Sequence, residues 1–236
     1  MGGQYPYRLG GLRSIGHMRI VIAGGHGQIA RRLEALLAAR GDEAVGLIRN
    51  PDQADDLRAV GAEPLVCDLE SVSVSELAGR LESADALVFA AGAGPDSGLA
   101  RKDTVDRGAA ALCADAAERA GVRRFVIVSA MGADDEPPAG TDEVFAAYLR
   151  AKAAADDDVR SRAGLDWTVL RPGGLTDDPG TGTVTLAEHT DRGSVTRDDV
   201  AAVIVALLDA PGTAGLTLDL IGGPTPIPAA IAAIAG

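Results

Sequence analysis

Ile20-Val21-Ile22-Ala23-Gly24-Gly25-His26-Gly27-Gln28-Ile29-Ala30 is the stretch whose reading decides the fold. Its apolar start suits a buried strand, the glycines suit a tight turn, and Leu33, Leu36 and Leu37 continue a helical stripe beyond it. The glycines fall as Gly24-x-x-Gly27-x-x-Ala30, a small-residue version of the fingerprint of dinucleotide-binding turns. In such a turn the first glycine bends the chain tightly and the second lets backbone approach a pyrophosphate. The third small residue lets the helix pack close on the strand. The helix N-terminus then offers free N–H groups and a partial positive charge to the phosphates. Glycines punctuate many strand-to-helix turns, so the weight rests on position. This one stands at the head of a chain that keeps alternating strand and helix.

The alternation runs outward from there. Strands are predicted at 43–48, 64–67, 86–92, 124–129 and 167–170. Helices are predicted at 52–60, 104–120 (with Asp103 as N-cap) and 142–162. Another helix follows Ser73-Val74-Ser75-Glu76, which has the form of a capping box. This rhythm implies right-handed βαβ units, an α/β fold and a doubly wound parallel sheet. Ligands of such sheets lie at the carboxyl ends of the strands. From Gly173 the chain turns rich in turn formers, and 173–182 reads as a loop. A short strand near 183–186 follows, then a second capping box, Thr196-Arg197-Asp198-Asp199. A helix over 200–208, a strand at 216–221 and a terminal helix at 228–235 complete the chain. Residues 18–236 are expected to form a single domain, with 173–236 contributing a small C-terminal lobe on the substrate side.

Composition narrows the classes. With 236 residues, 47% hydrophobic and 3% aromatic, the core must be filled by alanine, valine and leucine. A net charge of −12 argues against binding nucleic acid, which calls for a basic face. No run approaches the ~20 apolar residues of a membrane span. Cys67 and Cys113 sit in separate apolar runs and read as buried thiols of a reducing compartment. Residues 1–17 lack periodicity and the apolar segment of a secretory signal, so they are expected to be a disordered leader before a natural start at Met18. The cytoplasm is the expected location.

Arg49 is the sharpest clue to a cofactor. A carboxylate after the second strand would accept from the ribose 2′-hydroxyl of NAD, but here the chain reads Ile48-Arg49-Asn50. A guanidinium at that point suits a 2′-phosphate, so NADP(H) is favoured over NAD(H). An ordinary surface arginine is the bland alternative. Tyr148-Leu149-Arg150-Ala151-Lys152 is the sharpest clue to chemistry, because i and i+4 share one helix face. An ammonium there would favour phenolate and help the tyrosine act as acid or base. Tyr and Lys four apart also occur by chance on many helices. Ser129, ending the fifth strand, is placed to orient a substrate oxygen. His17, His26 and His189 show no metal-ligand spacing, and no metal is expected. Asp134-Asp135-Glu136 and Asp156-Asp157-Asp158 read as solvated charge, and Asp106 as a helix-dipole residue. Ser129 lacks a G-x-S-x-G elbow, which argues against a hydrolase triad.

Taken together, these residues resemble the atypical short-chain dehydrogenase/reductase family, in its NAD(P)-binding, epimerase-like branch. The likeness covers nearly everything from Met18 onward. It rests on Gly24 to Ile29, Leu47-Ile48-Arg49-Asn50-Pro51, Cys67-Asp68-Leu69 and Arg124 to Ser129. It continues in Tyr148 to Lys152, Gly164 to Gly173 and Thr196 to Ala201. Ala30 departs from the glycine that many members of the superfamily keep. The resemblance implies a Rossmann fold with the dinucleotide across Gly24, Gly27, Gln28 and Ile29. It implies Arg49 and Asn50 at the 2′-phosphate, Asp68 and Leu69 at adenine, and Ala90, Ala91 and Gly92 along the ribose side. Pro172 and Gly173 would lie near nicotinamide, with Ser129, Tyr148 and Lys152 in the active-site roles. The leading expectation is an NADP(H)-dependent oxidoreductase or epimerase acting on a small carbonyl or hydroxyl compound. The alternatives are a non-catalytic NADP(H) redox-sensing regulator and a flavin or tetrapyrrole reductase. Neither substrate nor oligomeric state follows from the sequence.

Overall fold

Along β1 (Arg19–Ala23) successive side chains enter opposite cores: Ile20 and Ile22 go to one, Val21 and Ala23 to the other. A strand buried on both faces belongs inside a parallel sheet covered by helices on each side. The computed structural model describes residues 17–92, 102–137 and 140–236. The expected leader thus lies outside the described residues, except for His17, whose ring bonds to the Gly41 carbonyl.

After β1 come α1 (Gln28–Arg40), β2 (Glu43–Ile48), α2 (Ala54–Ala59), β3 (Glu63–Val66), α3 (Val74–Arg80) and β4 (Ala86–Phe89). Wide helical turns over Lys102–Gly108 then run into α4 (Ala109–Ala120), followed by β5 (Arg124–Val128), α5 (Glu143–Arg160) and β6 (Asp166–Pro172). The last part holds β7 (Gly174–Thr176), β8 (Thr183–Ala187), β9 (Ser194–Thr196), α6 (Arg197–Leu208), β10 (Leu216–Gly222), β11 (Thr225–Pro226) and α7 (Ile227–Ala235). The main sheet has the order β11-β8-β10-β6-β5-β4-β1-β2-β3. From β3 to β10 every pairing is parallel, and β8 and β11 add antiparallel strands at the edge. Helices α1, α6 and α7 cover one face, and α3, α4 and α5 the other, giving the doubly wound Rossmann-type arrangement. The strand order reverses at β1, where the Gly24 turn leaves the sheet. Ala23 stands level with Leu47 and Phe89, so that turn opens beside the ends of β2 and β4.

Local signals account for most boundaries. Ser73 and Glu76 form the reciprocal capping box that starts α3, and Asp142 caps α5 through the Phe145 N–H. The Thr196 hydroxyl accepts from the Asp199 N–H, while the Asp199 carboxylate receives the Thr181 and Gly182 N–H groups and so ties down that turn. Two expectations fail. Asp103 is not an N-cap, because helical backbone already begins at Lys102. The segment 173–182 is not all loop, because β7 pairs with β9 in a separate two-stranded sheet. Of residues 173–236, β8, β10 and β11 belong to the main sheet and the β7–β9 pair stands outside it.

A buried carboxyl lies under the glycine turn and makes stability depend on pH. Glu34 of α1 is fully buried, and neither carboxyl oxygen has a hydrogen-bond partner among the described residues. A Cβ on Gly25 would lie 3.0 Å from its Oε1, and one on Gly46 2.5 Å from it. Burial pushes this carboxyl from its ordinary value near 4.5 up to about 8, against the pull of Arg31. The folded chain therefore holds a proton that the unfolded chain gives up, and stability falls as pH rises between about 4.5 and about 8. Glu34→Gln is expected to remove this slope and to raise the melting temperature more at pH 8 than at pH 5. Equal melting temperatures at both pH values would contradict it.

Candidate functional site

Gly24, which opens the site, cannot be enlarged without displacing backbone. Gly24 has φ +84°, and a Cβ there would fall 2.6 Å from the Ala91 Cα, so the turn packs directly on the chain leaving β4. Ala30 is fully buried and permits the close approach of α1 to the sheet. No side chain caps α1 and its first turn holds no acidic residue, whereas α3, α5 and α6 are all capped by side chains. The amino end of α1 thus keeps its N–H groups clear of side-chain caps, as those of α2, α4 and α7 also are, and it could receive an anion.

A cavity of about 800 Å³ opens at the carboxyl ends of the parallel strands. Gly27 and Ile29 enter it from the α1 turn, Ala90, Ala91 and Gly92 from the end of β4, and Pro172 and Gly173 from the end of β6. Ser129, Tyr148 and Lys152 line the same cavity. Met131, Phe145, Leu175, Arg192 and Arg197 form its outer part. Gly24, Gln28, Arg49, Asn50, Asp68 and Leu69 do not line it. Gly24 supports the turn from the sheet side, and Gln28 is exposed at the α1 start. The other four follow β2 and β3, where Arg49 and Asn50 are exposed and Asp68 and Leu69 half-buried. The Arg49 side chain is 57% exposed and its Nη1 bonds to Glu70 Oε2 at 3.1 Å. Asn50 accepts the Asp52 N–H, and Asp68 accepts the Glu70 N–H.

Helix periodicity brings the polar groups together. Tyr148, Lys152 and Asp156 stand at i, i+4 and i+8 of α5 and face the strand ends. Lys152 is buried; its Nζ donates to the Val128 carbonyl at 3.0 Å and lies 3.5 Å from Asp106 Oδ1. The same Nζ is 5.8 Å from the Tyr148 ring centroid. The Ser129 hydroxyl donates to Asp156 Oδ2 at 2.8 Å. That oxygen also receives Arg171 Nε at 2.9 Å and Nη2 at 2.7 Å. The other side of Arg171 forks onto Asp134, at 2.8 and 2.7 Å. Together with Arg160, the Arg171 guanidinium holds the Asp134 carboxyl well below the usual range.

Three sequence expectations change here. Asp156 is fully buried rather than solvated, whereas Asp134 stays exposed in its turn while pairing with Arg171. Asp106 is not simply a helix-dipole residue: it is fully buried and faces Lys152. The third concerns acidity. Burial, then the Asp106 and Asp156 carboxylates, push the Tyr148 phenol upward, so the expected lowering by Lys152 does not prevail. The signal for Asp156 was present, because it continues the four-residue spacing from Tyr148. Nothing local pairs Arg171 with Asp134. Elsewhere, His26 of the glycine turn bonds to Asp56 at 2.7 Å, and Cys67 and Cys113 are free and buried. Among the described residues no helix is long and apolar enough to cross a membrane.

Residues 24–211 match the model of a family described as NAD(P)H-binding. The chain is 38% identical over 215 residues to an uncharacterized sugar epimerase of Bacillus subtilis, covering 91% of this chain and 99% of that protein. A solved structure from Bacillus halodurans, provisionally assigned as an NAD-dependent epimerase/dehydratase, is 37% identical with a TM-score of 0.84, covering 92% of this chain and 99% of that one. An oxidoreductase of Lactococcus lactis is 26% identical with a TM-score of 0.80, covering 92% of this chain and 96% of that one.

Proposed function

This chain belongs to the NAD(P)H-binding family, and we propose that it is an NADP(H)-dependent oxidoreductase working as a reductase of a small carbonyl compound. The observation that carries this reading is that Tyr148 and Lys152 enter the same cavity as the uncapped amino end of α1. The residues fit a dinucleotide, since Gly27 and Ile29 of the turn line the cavity and no side chain competes for the helix end. Gly24, Gly27, Gln28 and Ile29 would hold the pyrophosphate, Arg49 and Asn50 the 2′-phosphate, and Asp68 and Leu69 the adenine. Ala90, Ala91, Gly92, Pro172 and Gly173 would border the ribose and nicotinamide. When bound, the nicotinamide ring supplies hydride chemistry.

The chain's own residues then handle the proton. A phenol whose acidity is suppressed stays protonated and is suited to give a hydrogen bond, and then a proton, to a substrate carbonyl oxygen. Lys152, charged beside Asp106, supports the negative charge that Tyr148 acquires on giving up that proton. Ser129 has committed its proton to Asp156, so toward the cavity it offers a lone pair. It can accept from a hydroxyl elsewhere on the substrate, and the hydrogen bond to the reacting carbonyl is left to Tyr148. Residues 173–236 contribute Leu175, Arg192 and Arg197 to the outer wall and in this reading enclose the substrate side.

Calorimetric titration with NADPH and NADH, alongside Arg49→Ala, tests the cofactor. NADPH is expected to bind the native protein, and the variant to lose about tenfold or more in affinity for NADPH while NADH changes little. Equal NADPH affinity in both proteins would remove Arg49 from the 2′-phosphate. Binding without turnover across a carbonyl screen would favour a redox-sensing regulator.

A further inference from the structure

We propose that Glu70 is a specificity-determining residue that sets the balance between the 2′-phosphorylated and unphosphorylated dinucleotide. The inference rests on Arg49 meeting the 2′ position, and adds a residue from the neighbouring strand to that subsite. Arg49 follows β2 and Glu70 follows β3, and their side chains meet at 3.1 Å. The second carboxylate oxygen, Oε1, receives the Thr104 hydroxyl at 2.9 Å. Thr104 lies in the wide helical turns 102–108, on a different part of the chain. The carboxylate is thus fastened at both oxygens, by Arg49 and by Thr104. Its side chain is 27% exposed against 57% for Arg49, so Glu70 is the more covered of the two.

The two forms of the cofactor meet this pair differently. A 2′-phosphate brings close to two negative charges and seeks the guanidinium, but arrives beside a carboxylate that already holds it. Like charges a few ångströms apart at a wetted surface repel, and the fastening by Thr104 resists the swing that would relieve it. A ribose 2′-hydroxyl is a hydrogen-bond donor, and NAD-selecting sites offer it a carboxylate after the second strand; Glu70 would offer one from the end of the third. Arg49 and Glu70 together therefore offer something to each cofactor. Glu70 restrains the NADP(H) preference that Arg49 alone would give.

The test is calorimetric titration of the full chain with NADPH and with NADH, for native protein, Glu70→Gln, Thr104→Val and Arg49→Ala, at low and high salt. Glu70→Gln is expected to tighten NADPH by about fivefold and to leave NADH unchanged or slightly weaker, with the gain shrinking at high salt. Thr104→Val, which removes one hydrogen bond from the carboxylate, is expected to shift the NADPH-to-NADH ratio in the same direction by less. An unchanged ratio in Glu70→Gln, with Arg49→Ala still losing NADPH, overturns the role of Glu70 and keeps Arg49. Retained NADPH affinity in Arg49→Ala overturns the reading of the subsite as a whole. Melting temperatures within a few degrees of native would show that the variants are folded.

Discussion

Tyr148→Phe is expected to lower kcat by about 10²- to 10⁴-fold while NADPH affinity stays within about twofold of native. The phenyl ring keeps its place beside Phe145, whose ring stacks on Tyr148 at 6.0 Å between centroids, so the cavity wall is preserved. What disappears is the hydroxyl alone. The neighbouring donors are already engaged: the Ser129 hydroxyl donates a hydrogen bond to Asp156 Oδ2, and Lys152 Nζ donates one to the Val128 carbonyl and lies 3.5 Å from Asp106. The measurement is NADPH consumption on whichever carbonyl compound a screen identifies, with calorimetry on the same samples. Unchanged turnover would remove Tyr148 from the chemistry. A matching loss of NADPH binding would mean that it shapes the site rather than reacting in it.

Arg171→Met is expected to be the most destabilising single change near the cavity, by about 3–5 kcal/mol, because it strands a buried carboxylate. Asp156 is fully buried, its Oδ1 has no partner among the described residues, and Arg171 supplies two of the three hydrogen bonds to Oδ2. For a chain of this size the fall in Tm should be on the order of 10 °C. The double variant Arg171→Met with Asp156→Leu should recover much of the loss, since replacing both partners of a buried pair is far milder than removing one. Thermal melts of the two variants check this. A double variant as unstable as the single one would show that Arg171 matters through packing and its Asp134 fork instead.

The parts of the fold that can be read in the sequence are those governed by near neighbours. Ile20 to Ala23 alternate between two cores, Gly24 turns, and Leu33 and Leu37 fall on the buried stripe of α1. Ser73 and Glu76 announce α3 three residues apart. What depends on distant chain is hidden. Strands β7, β9 and β11 are two or three residues long and exist only through partners elsewhere, as Gly174 pairs with Ser194. The antiparallel edge at β8 is likewise set by β10, some 30 residues on, and not by its own composition. The site divides in the same way. Tyr148 and Lys152 are visible from their spacing, but Asp156 is masked by Asp157 and Asp158. Only the first of the three points inward, since each residue of a helix turns about 100° from the last. Asp106 is masked because its ordinary place near a helix start gives a sufficient reason for an acid. The Arg171–Asp134 fork joins residues 37 apart with no local pattern.

The most direct test of the central claim is a crystal structure of the chain with NADP⁺. The account predicts the pyrophosphate on the Gln28 and Ile29 end of α1, the 2′-phosphate on Arg49, and nicotinamide C4 on the order of 5 Å from the Tyr148 hydroxyl, with space for one substrate carbon and its oxygen between them. A nicotinamide ring bound away from Tyr148 and Lys152, or a dinucleotide bound outside the cavity, would contradict it.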